Sequence, residues 1–497
     1  MLTPRKRSAI TLAAALLLIA TAALLPCKHA HAQSQSAQAQ TPAAAVPANL
    51  PQLIDITAST GIKFDHLSSP EQKYIVESMG GGLALIDYDR DGFPDIYLTN
   101  SQSVEMALAG KKSESKLYHN NHDGTFTDVT AKAGVAQPCW AQGVAVGDYN
   151  NDGWPDMLVT CFGGVVLYKN NGDGTFTDVT HESGIDAFFG KGMAVAFADM
   201  NGDGFLDAFV TNDTMPNFLF RNIGGKKFEE IAVASGVAYS PDGNALSGMG
   251  ADFRDVNNDG LPDIWHTAVE HEGFPLYINQ GSGAFIDANA SSGLAKLTNR
   301  MTGWSNGIYD FDNDGWKDLF VARADVMDNI QQAIPAETYP EPNSVFRNLG
   351  NGKFEDVSAN AGTAFQVPGA HRGAAFGDIF NTGQIDAVIS SLNEPVKLFR
   401  NIGAGGQHWL LLRLVGTRSN RMGLGAQIRI VTPDGRSQWN EATTAVGYAC
   451  SSDPRVHFGL GVNTLVKEIR IIWPSRAVQL LNNIPADQIV TIEEPQV

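Results

Sequence analysis

The residues best placed to do chemistry are aspartates at fixed offsets. In Asp87-x-Asp89-x-Asp91-Gly92-Phe93-Pro94-Asp95, carboxylates stand at loop positions 1, 3, 5 and 9, with glycine at position 6. Alternate side chains converge when such a loop curls, and position 7 adds a backbone carbonyl. Oxygen donors at this density suit Ca²⁺ better than the smaller, octahedral Mg²⁺. The set recurs as Asp148/Asn150/Asp152/Asp156, Asp199/Asn201/Asp203/Asp207, Asp255/Asn257/Asp259/Asp263 and Asp310/Asp312/Asp314/Asp318. A sixth copy keeps Asp378 and Asp386 but has Phe380 and Thr382 at positions 3 and 5, so no metal is expected there. The spacing matches the first half of an EF-hand loop, yet no glutamate follows at position 12 and the flanks alternate as strands do. Asp-Gly and Asn-Gly are also ordinary turn residues. Five copies in register favour calcium, about five structural ions, over turns alone.

The elements that must position these loops are short strands. The copies begin at 87, 148, 199, 255, 310 and 378, each trailed by Leu117-Tyr-His-Asn, Leu167-Tyr-Lys-Asn and their equivalents, then by segments such as Phe126-Thr-Asp-Val. Apolar residues alternate over four to eight positions between Gly/Asn/Asp turns, a strand–hairpin pattern. Four strands per unit, repeated radially, predict an all-β fold built on a β-propeller. The last unit lacks its outer strand, which Leu53-Ile-Asp-Ile at the other end supplies, closing the ring and removing a sheet edge. Six blades are expected, seven being the alternative.

The chain has 53 Asp+Glu against 35 Lys+Arg, a net charge of -18, which argues against nucleic acid as a partner. The charge is uneven: residues 401–497 are net +2 and the rest net -20. Arg5-Lys6-Arg7, an apolar run from Ala9 to Leu25 and Ala30-His31-Ala32 read as a signal peptide over 1–32. The protein is thus expected to be exported, periplasmic or extracellular, with no membrane span in the mature chain. A Gln/Ala/Ser/Pro-rich linker over 33–50 precedes the propeller at 51–403. Cys139 precedes the inner strand of the second blade and Cys161 ends its partner, so antiparallel pairing sets them opposite, and an exported protein can oxidise them. Cys450 is left unpaired.

The units, with G-x-x-x-x-D-x-[DN]-x-D-G-x-x-D and a trailing L-[YF]-x-N, resemble the FG-GAP/VCBS repeats of integrin-alpha-like propellers. The segment Asn401-Ile-Gly-Ala-Gly-Gly-Gln-His-Trp, with Arg-Val-His-Phe-Gly-Leu-Gly and Ile-Arg-Ile-Ile-Trp-Pro-Ser further on, resembles the ASPIC/UnbV domain. Together they are similar to the cartilage-acidic-protein family, which implies an extracellular, calcium-binding protein and carries over no catalytic residue. Arg476 and Cys450 stand where that resemblance leads one to expect small or apolar side chains.

From 404 to 492 alternating strands predict a small β-sandwich or barrel, with a tail at 493–497. His408, His457 and Trp473 are candidates for a surface site there, and Arg413, Arg418, Arg421 and Arg429 for a basic patch facing acidic glycans or the propeller itself. On the propeller, the face opposite the aspartate loops carries Glu77, Trp140, Lys191, Ser247, Trp304, His371 and Arg372, the candidate ligand-binding residues around a channel mouth. Gly303-Trp-Ser-Asn-Gly307 matches a nucleophile elbow, but Ser305 lies on an inner strand rather than a strand–turn–helix corner. The expected function is a binding, adhesion or scaffolding module with an unidentified protein or glycan partner. The competing expectation is a glycan-active hydrolase or lyase with its pocket at the channel mouth.

Overall fold

The computed structural model describes residues 50–68, 74–136, 139–150, 152–162, 164–183, 192–224, 227–403 and 405–496. The expected signal peptide, most of the expected linker and Lys191 lie outside them.

Six four-stranded antiparallel sheets follow one another, each ordered along the chain. The first blade comprises Leu83–Ile86, Asp95–Leu98, Lys116–Asn120 and Phe126–Asp128. The inner strands of the next five are Ala141–Gly147, Gly192–Ala198, Ala251–Arg254, Gly303–Tyr309 and His371–Gly377. Leu53–Asp55 pairs with Lys397–Asn401, Leu53 opposite Asn401, and so completes the sixth blade. This is a six-bladed propeller closed by its N-terminal strand. Each outer strand runs into one helical turn, as Phe126–Asp128 does into Thr130–Ala133, which stops at Gly134 with φ +78°. Sequence alternation alone reads the strand and overlooks that turn.

Side chains from facing blades make the core. Between the fifth and sixth, Phe320 meets Phe376 and Phe365 edge-on at centroid distances of 5.0 and 5.5 Å, the geometry aromatic quadrupoles favour.

The C-terminal region is a sandwich. One sheet orders Val456–Gly461, His408–Val415 and Gln488–Glu493; the other orders Ser437–Glu441, Gln427–Val431, Leu465–Ile472 and Val478–Pro485. Leu410, Leu412, Ile428, Ile430, Phe458, Ile469 and Trp473 fill the space between them. Trp473 is therefore a core residue whose indole N–H donates to Gln479, not a surface site. His457 is likewise buried, its Nε2 at 3.1 Å from the Gly383 carbonyl of the propeller. Glu494, just past the last strand, is buried and accepts from the backbone N–H groups of Thr417, Arg418 and Ser419.

Candidate metal centres and the domain that covers them

Each aspartate loop is built by its own side chains. The ninth-position carboxylate accepts from the position-2 N–H and from the N–H of the asparagine in L-[YF]-x-N. Asp95 takes Tyr88 N and Asn120 N, Asp156 takes Tyr149 N and Asn170 N, and Asp207 takes Met200 N and Asn222 N. Asp263 and Asp318 repeat this with Val256 and Asn279, and with Phe311 and Asn348. The first aspartate accepts from the position-6 glycine, as Asp148 does from Gly153 at 2.9 Å and Asp310 from Gly315 at 2.8 Å. Those glycines have φ from +76° to +96° at Gly92, Gly153, Gly204, Gly260 and Gly315, where a Cβ is disfavoured.

The asparagine of L-[YF]-x-N has a second task that sequence reading missed, although its recurrence was visible. Its amide N–H bridges to the position-2 carbonyl of a neighbouring blade: Asn170 to Tyr88, Asn279 to Met200, Asn348 to Val256, Asn401 to Phe311 and Asn120 to Ile379. The aspartate hairpins are thereby tied edge to edge around the disc.

In two loops the carboxylates crowd one another. Oxygens of Asp310, Asp312 and Asp318 lie within 4.8 Å of each other, all three buried, as do those of Asp87, Asp89 and Asp91. Burial and then neighbouring carboxylates push Asp310 and Asp318 well above the usual range, and Asp312 to about 7. Burial likewise raises Asp95 to about 7, and Asp87, Asp156 and Asp207 to about 6.

The second to fourth loops differ from the first and fifth at position 3, where asparagine replaces aspartate. Among the described residues, three carboxylates gather in the first and fifth loops and not in these. Here the position-3 asparagine spends its amide on position 5. Asn150 donates to Asp152 at 2.9 Å, Asn201 to Asp203 at 3.1 Å and Asn257 to Asp259 at 2.9 Å. Each Oδ1 in turn accepts the position-5 N–H at 3.0 Å. Asp152, Asp203 and Asp259 are exposed, and each accepts the position-7 N–H on its other oxygen. The physical reason is that an amide brings a donor of its own, so Asn150, Asn201 and Asn257 satisfy a carboxylate that an aspartate would repel. The position-5 and position-7 N–H bonds recur in the first and fifth loops, on Asp89 and Asp91 and on Asp312 and Asp314, so the amide bond is what sets these three loops apart.

The donor set of the second to fifth blades, all oxygen, still fits a hard cation. At the third blade Glu441 of the sandwich adds another carboxylate: its Oε2 accepts from Asp199 N, while Oε1 is buried with no hydrogen-bond partner among the described residues. Burial, then the Asp199 charge, lifts Glu441 to about 8.

The residue before the bridging asparagine differs between blades. Arg347 donates from Nε to Asp312 at 2.9 Å and from Nη2 to Asp314 at 3.3 Å. Lys169 approaches Asp152 at 3.8 Å, whereas Ile278 brings no charge to the fourth loop. In the first blade His119 Nδ1 stands 3.1 Å from Asp95 and 3.3 Å from Asp89, and His122 Nε2 2.6 Å from Asp91.

The sandwich lies across this face and touches all six loops. Arg413 pairs with Asp87 at 3.0 Å, Asn420 donates to the Asp148 carbonyl and Gln427 to the Asp199 carboxylate. Lys317 of the propeller bridges the Asp255 and Trp439 carbonyls, Arg436 donates to the Asp314 carbonyl, and Arg455 to that of Asp378. The uneven charge of the sequence has this basis: a slightly basic domain caps an acidic ring. Arg476, unexpected from the family resemblance, lays its guanidinium 4.8 Å from the Phe205 ring of the third loop.

One segment of the sandwich enters the propeller channel. Gly447 N donates to Ala251 O, Val144 N to Ala449 O, Leu85 N to Ser451 O, and Asp453 N to Phe376 O. Tyr448 N donates to Ser305 Oγ, so the serine of the false nucleophile elbow is a plug contact. Residues 447–453 thus bond to the inner strands of the first, second, fourth, fifth and sixth blades. Gly373 permits the approach, since a Cβ there would stand 2.7 Å from Cys450 Sγ. Cys450 is unpaired, as expected, and burial pushes its thiol up to about 12.

This plug corrects the expected ligand mouth. Trp304 and Arg372 are fully buried, the guanidinium 4.0 Å from the indole ring, and Tyr448 packs edge-on against Trp304 at 5.0 Å. His371 is buried against Ser391, and burial holds its imidazole well below its usual pKa. Glu77 is buried and accepts from Val104 N; Ser247 is buried and donates to Glu272. Of the described mouth residues only Trp140, half-buried 5.3 Å from the exposed Phe162 ring, keeps an accessible surface. Cys139 and Cys161 flank that aromatic pair and are disulfide-bonded, with Cα atoms 5.9 Å apart.

A cleft of about 560 Å³ remains between the sandwich and the first two loops, walled by Leu85, Val146, Leu414 and Met422 and edged by Arg90, Arg413, Arg421 and Arg455. That is within the range of small-molecule sites.

Comparison with known proteins places these features. Cartilage acidic protein 1 of Xenopus tropicalis is 26% identical over 441 residues, 83% of this chain and 64% of that protein; the Homo sapiens protein is 26% identical over 443, 83% and 63%. The chain therefore spans less than two thirds of the length of these homologues. Among solved structures, an Agrocybe aegerita lectin recognising non-reducing terminal N-acetylglucosamine is 17% identical with TM-score 0.34, covering 64% of this chain and 80% of that one. Trypanosoma rangeli sialidase is 9% identical with TM-score 0.35, covering 72% and 58%. The FG-GAP-like repeat profile matches residues 87–159, 148–210, 199–266 and 310–389, and the ASPIC and UnbV profile 416–497. On repeats that fill more than half its length, the chain belongs to the FG-GAP-like repeat family and carries an ASPIC and UnbV domain at its C-terminal end.

Proposed function

We propose that the protein is an exported, calcium-stabilised binding or scaffolding module, with cations held in the aspartate loops of five blades and the ligand met at the cleft beside the first two. The observation that carries the reading is the convergence of buried Asp310, Asp312 and Asp318, whose mutual repulsion a cation would relieve further than the Arg347 guanidinium on Asp312 does. In the second to fourth loops a cation must first displace the bonds of Asn150, Asn201 and Asn257 to Asp152, Asp203 and Asp259, so these three sites are the weaker ones. Export follows from the signal-peptide pattern of 1–32 and agrees with the Cys139–Cys161 disulfide; among the described residues no helix is long and apolar enough to cross a membrane.

When bound, Ca²⁺ would supply charge neutralisation and cross-link the two strands of each hairpin. The chain's own residues do the rest. Positions 1 and 9 preform the loop, and positions 3 and 5 offer side-chain oxygens. The cleft, where four arginines meet three aspartates on an apolar wall and Arg413 and Arg455 are paired with Asp87 and Asp453, suits a polar ligand such as a glycan. Thermal unfolding in EDTA and in millimolar calcium, with bound metal counted in parallel, tests the reading. A clear calcium-dependent rise in Tm with several ions per chain supports it, because ligands of the native state stabilise by mass action. An unchanged Tm with no bound metal removes it.

A further inference from the structure

The first blade departs from the others at the two positions nearest its aspartates. Where the second to sixth blades have Lys169, Arg221, Ile278, Arg347 and Arg400, the first has His119. Where they have Gly172, Gly224, Gly281, Gly350 and Gly403, it has His122. Gly172, Gly224, Gly281 and Gly350 lie at φ from +63° to +80°, and His122 keeps that left-handed backbone at +65° despite its Cβ. Both imidazoles turn to the loop. His119 Nδ1 and oxygens of Asp89 and Asp95 lie within 4.8 Å of one another, and Asp89 is also grouped with Asp87 and Asp91. His122 stacks on Phe93 at 3.9 Å, which aims its Nε2 at Asp91.

This loop keeps all four aspartates and adds two imidazoles to them. Ca²⁺ takes oxygen ligands, whereas imidazole with carboxylates suits borderline first-row ions, Zn²⁺ foremost. We propose that the first blade holds a transition-metal site of the Zn²⁺ class, with His119, Asp89 and Asp95 as ligands and His122 bracing the Asp91 side of the loop. The inference rests on the reading that the aspartate loops bind cations, and it separates this loop from the rest by chemistry. Asp87 of the same loop lines the cleft beside the sandwich.

The test uses the full mature chain, stripped with EDTA and returned to millimolar calcium. Zn²⁺ is titrated calorimetrically, and Co²⁺ is added separately to read its visible absorption. One equivalent of Zn²⁺ binding in the presence of excess calcium, with Co²⁺ bands typical of nitrogen ligation, is the expected result. His119→Ile, which installs the residue of the fourth blade, abolishes it; His122→Gly, the residue of every other blade, removes only the brace on Asp91 and leaves it within severalfold. Both variants copy residues that sibling blades fold with, and their melting in EDTA confirms folding. Zinc binding that survives His119→Ile, or none in calcium excess, overturns the proposal and leaves the histidines as counter-charges comparable to Arg347. If calcium binds no loop while zinc binds here, the calcium reading fails and this one stands.

Discussion

In the fifth and sixth blades the first aspartate of the loop accepts from two backbone N–H groups and the ninth from two more. Asp310 takes those of Asp314 and Gly315, and Asp378 those of Thr382 and Gly383. Asp318 takes Phe311 and Asn348, and Asp386 takes Ile379 and Asn401, at matching distances of 3.1 and 2.8 Å. The loops then diverge. The fifth places Asp312 and Asp314 at positions 3 and 5, faced by Arg347; the sixth places Phe380 and Thr382 there, and Arg400, in the place of Arg347, lies 4.9 Å from the Phe380 ring. The first and ninth aspartates thus build the loop in both blades, and positions 3 and 5 decide whether further carboxylates join them.

The loop-building aspartates carry the largest expected effect. Asp386→Ala orphans two buried N–H groups at about 1–3 kcal/mol each, so about 4 kcal/mol of stability is lost. Because the sixth loop lacks the position-3 and position-5 carboxylates, the loss should be the same in EDTA and in calcium, read by urea unfolding. A loss that appears only in calcium would erase the distinction between the two loops.

Positions 3 and 5 are probed by Asp312→Asn with Asp314→Asn. In EDTA this pair should be neutral or slightly stabilising, since it removes buried repulsion. In calcium it should forfeit the contribution of one site, about 2.7 kcal/mol if calcium stands at a hundredfold excess over its Kd. The reciprocal change, Phe380→Asp with Thr382→Asp, should add one bound ion per chain by metal analysis, while costing about 1 kcal/mol in EDTA for the new carboxylates. An unchanged ion count would mean that position 1 and position 9 are too committed to the backbone to help hold a cation.

The contrast also shows what a sequence can carry. The six blades and the disulfide were legible because each is local, as aspartates at fixed offsets, period-two strands and two cysteines set opposite by one hairpin, and the distant closing strand Leu53–Asp55 was legible because the last repeat lacks the strand it supplies. The sandwich was legible as strands for the same reason. Its docking was not. Residues 447–453 have no period, and their partners lie up to about 370 residues upstream, Tyr448 reaching the Met79 carbonyl. Trp304, His371 and Arg372 therefore read as an open mouth, when another domain fills it. The dual use of the aspartates was hidden differently, since a carboxylate that accepts N–H groups and one that awaits a metal are the same letter. The asparagines hid the opposite way: Asn150, Asn201 and Asn257 counted as oxygen donors, while their N–H groups hold Asp152, Asp203 and Asp259 in ordinary turns.

Arg347 gives the smallest expected effect and the most direct reading of the comparison. Its guanidinium holds the same oxygens of Asp312 and Asp314 that a cation would need, so it acts both as a brace in the metal-free loop and as a competitor in the filled one. Arg347→Met keeps the aliphatic stem over the hairpin and removes the charge. In EDTA the variant should lose up to about 1 kcal/mol, the usual yield of a partly exposed ion pair. In calcium the sign should reverse at this site, with affinity rising severalfold because the oxygens no longer exchange one partner for another. Calcium titration of both proteins, alongside Arg400→Met in the sixth blade, separates the roles. Arg400 faces a ring rather than carboxylates, so its removal should leave calcium affinity unchanged. If Arg347→Met weakens calcium binding instead, the guanidinium is orienting the carboxylates rather than competing for them, and the fifth loop owes its geometry to an arginine that the sixth has turned to a different use.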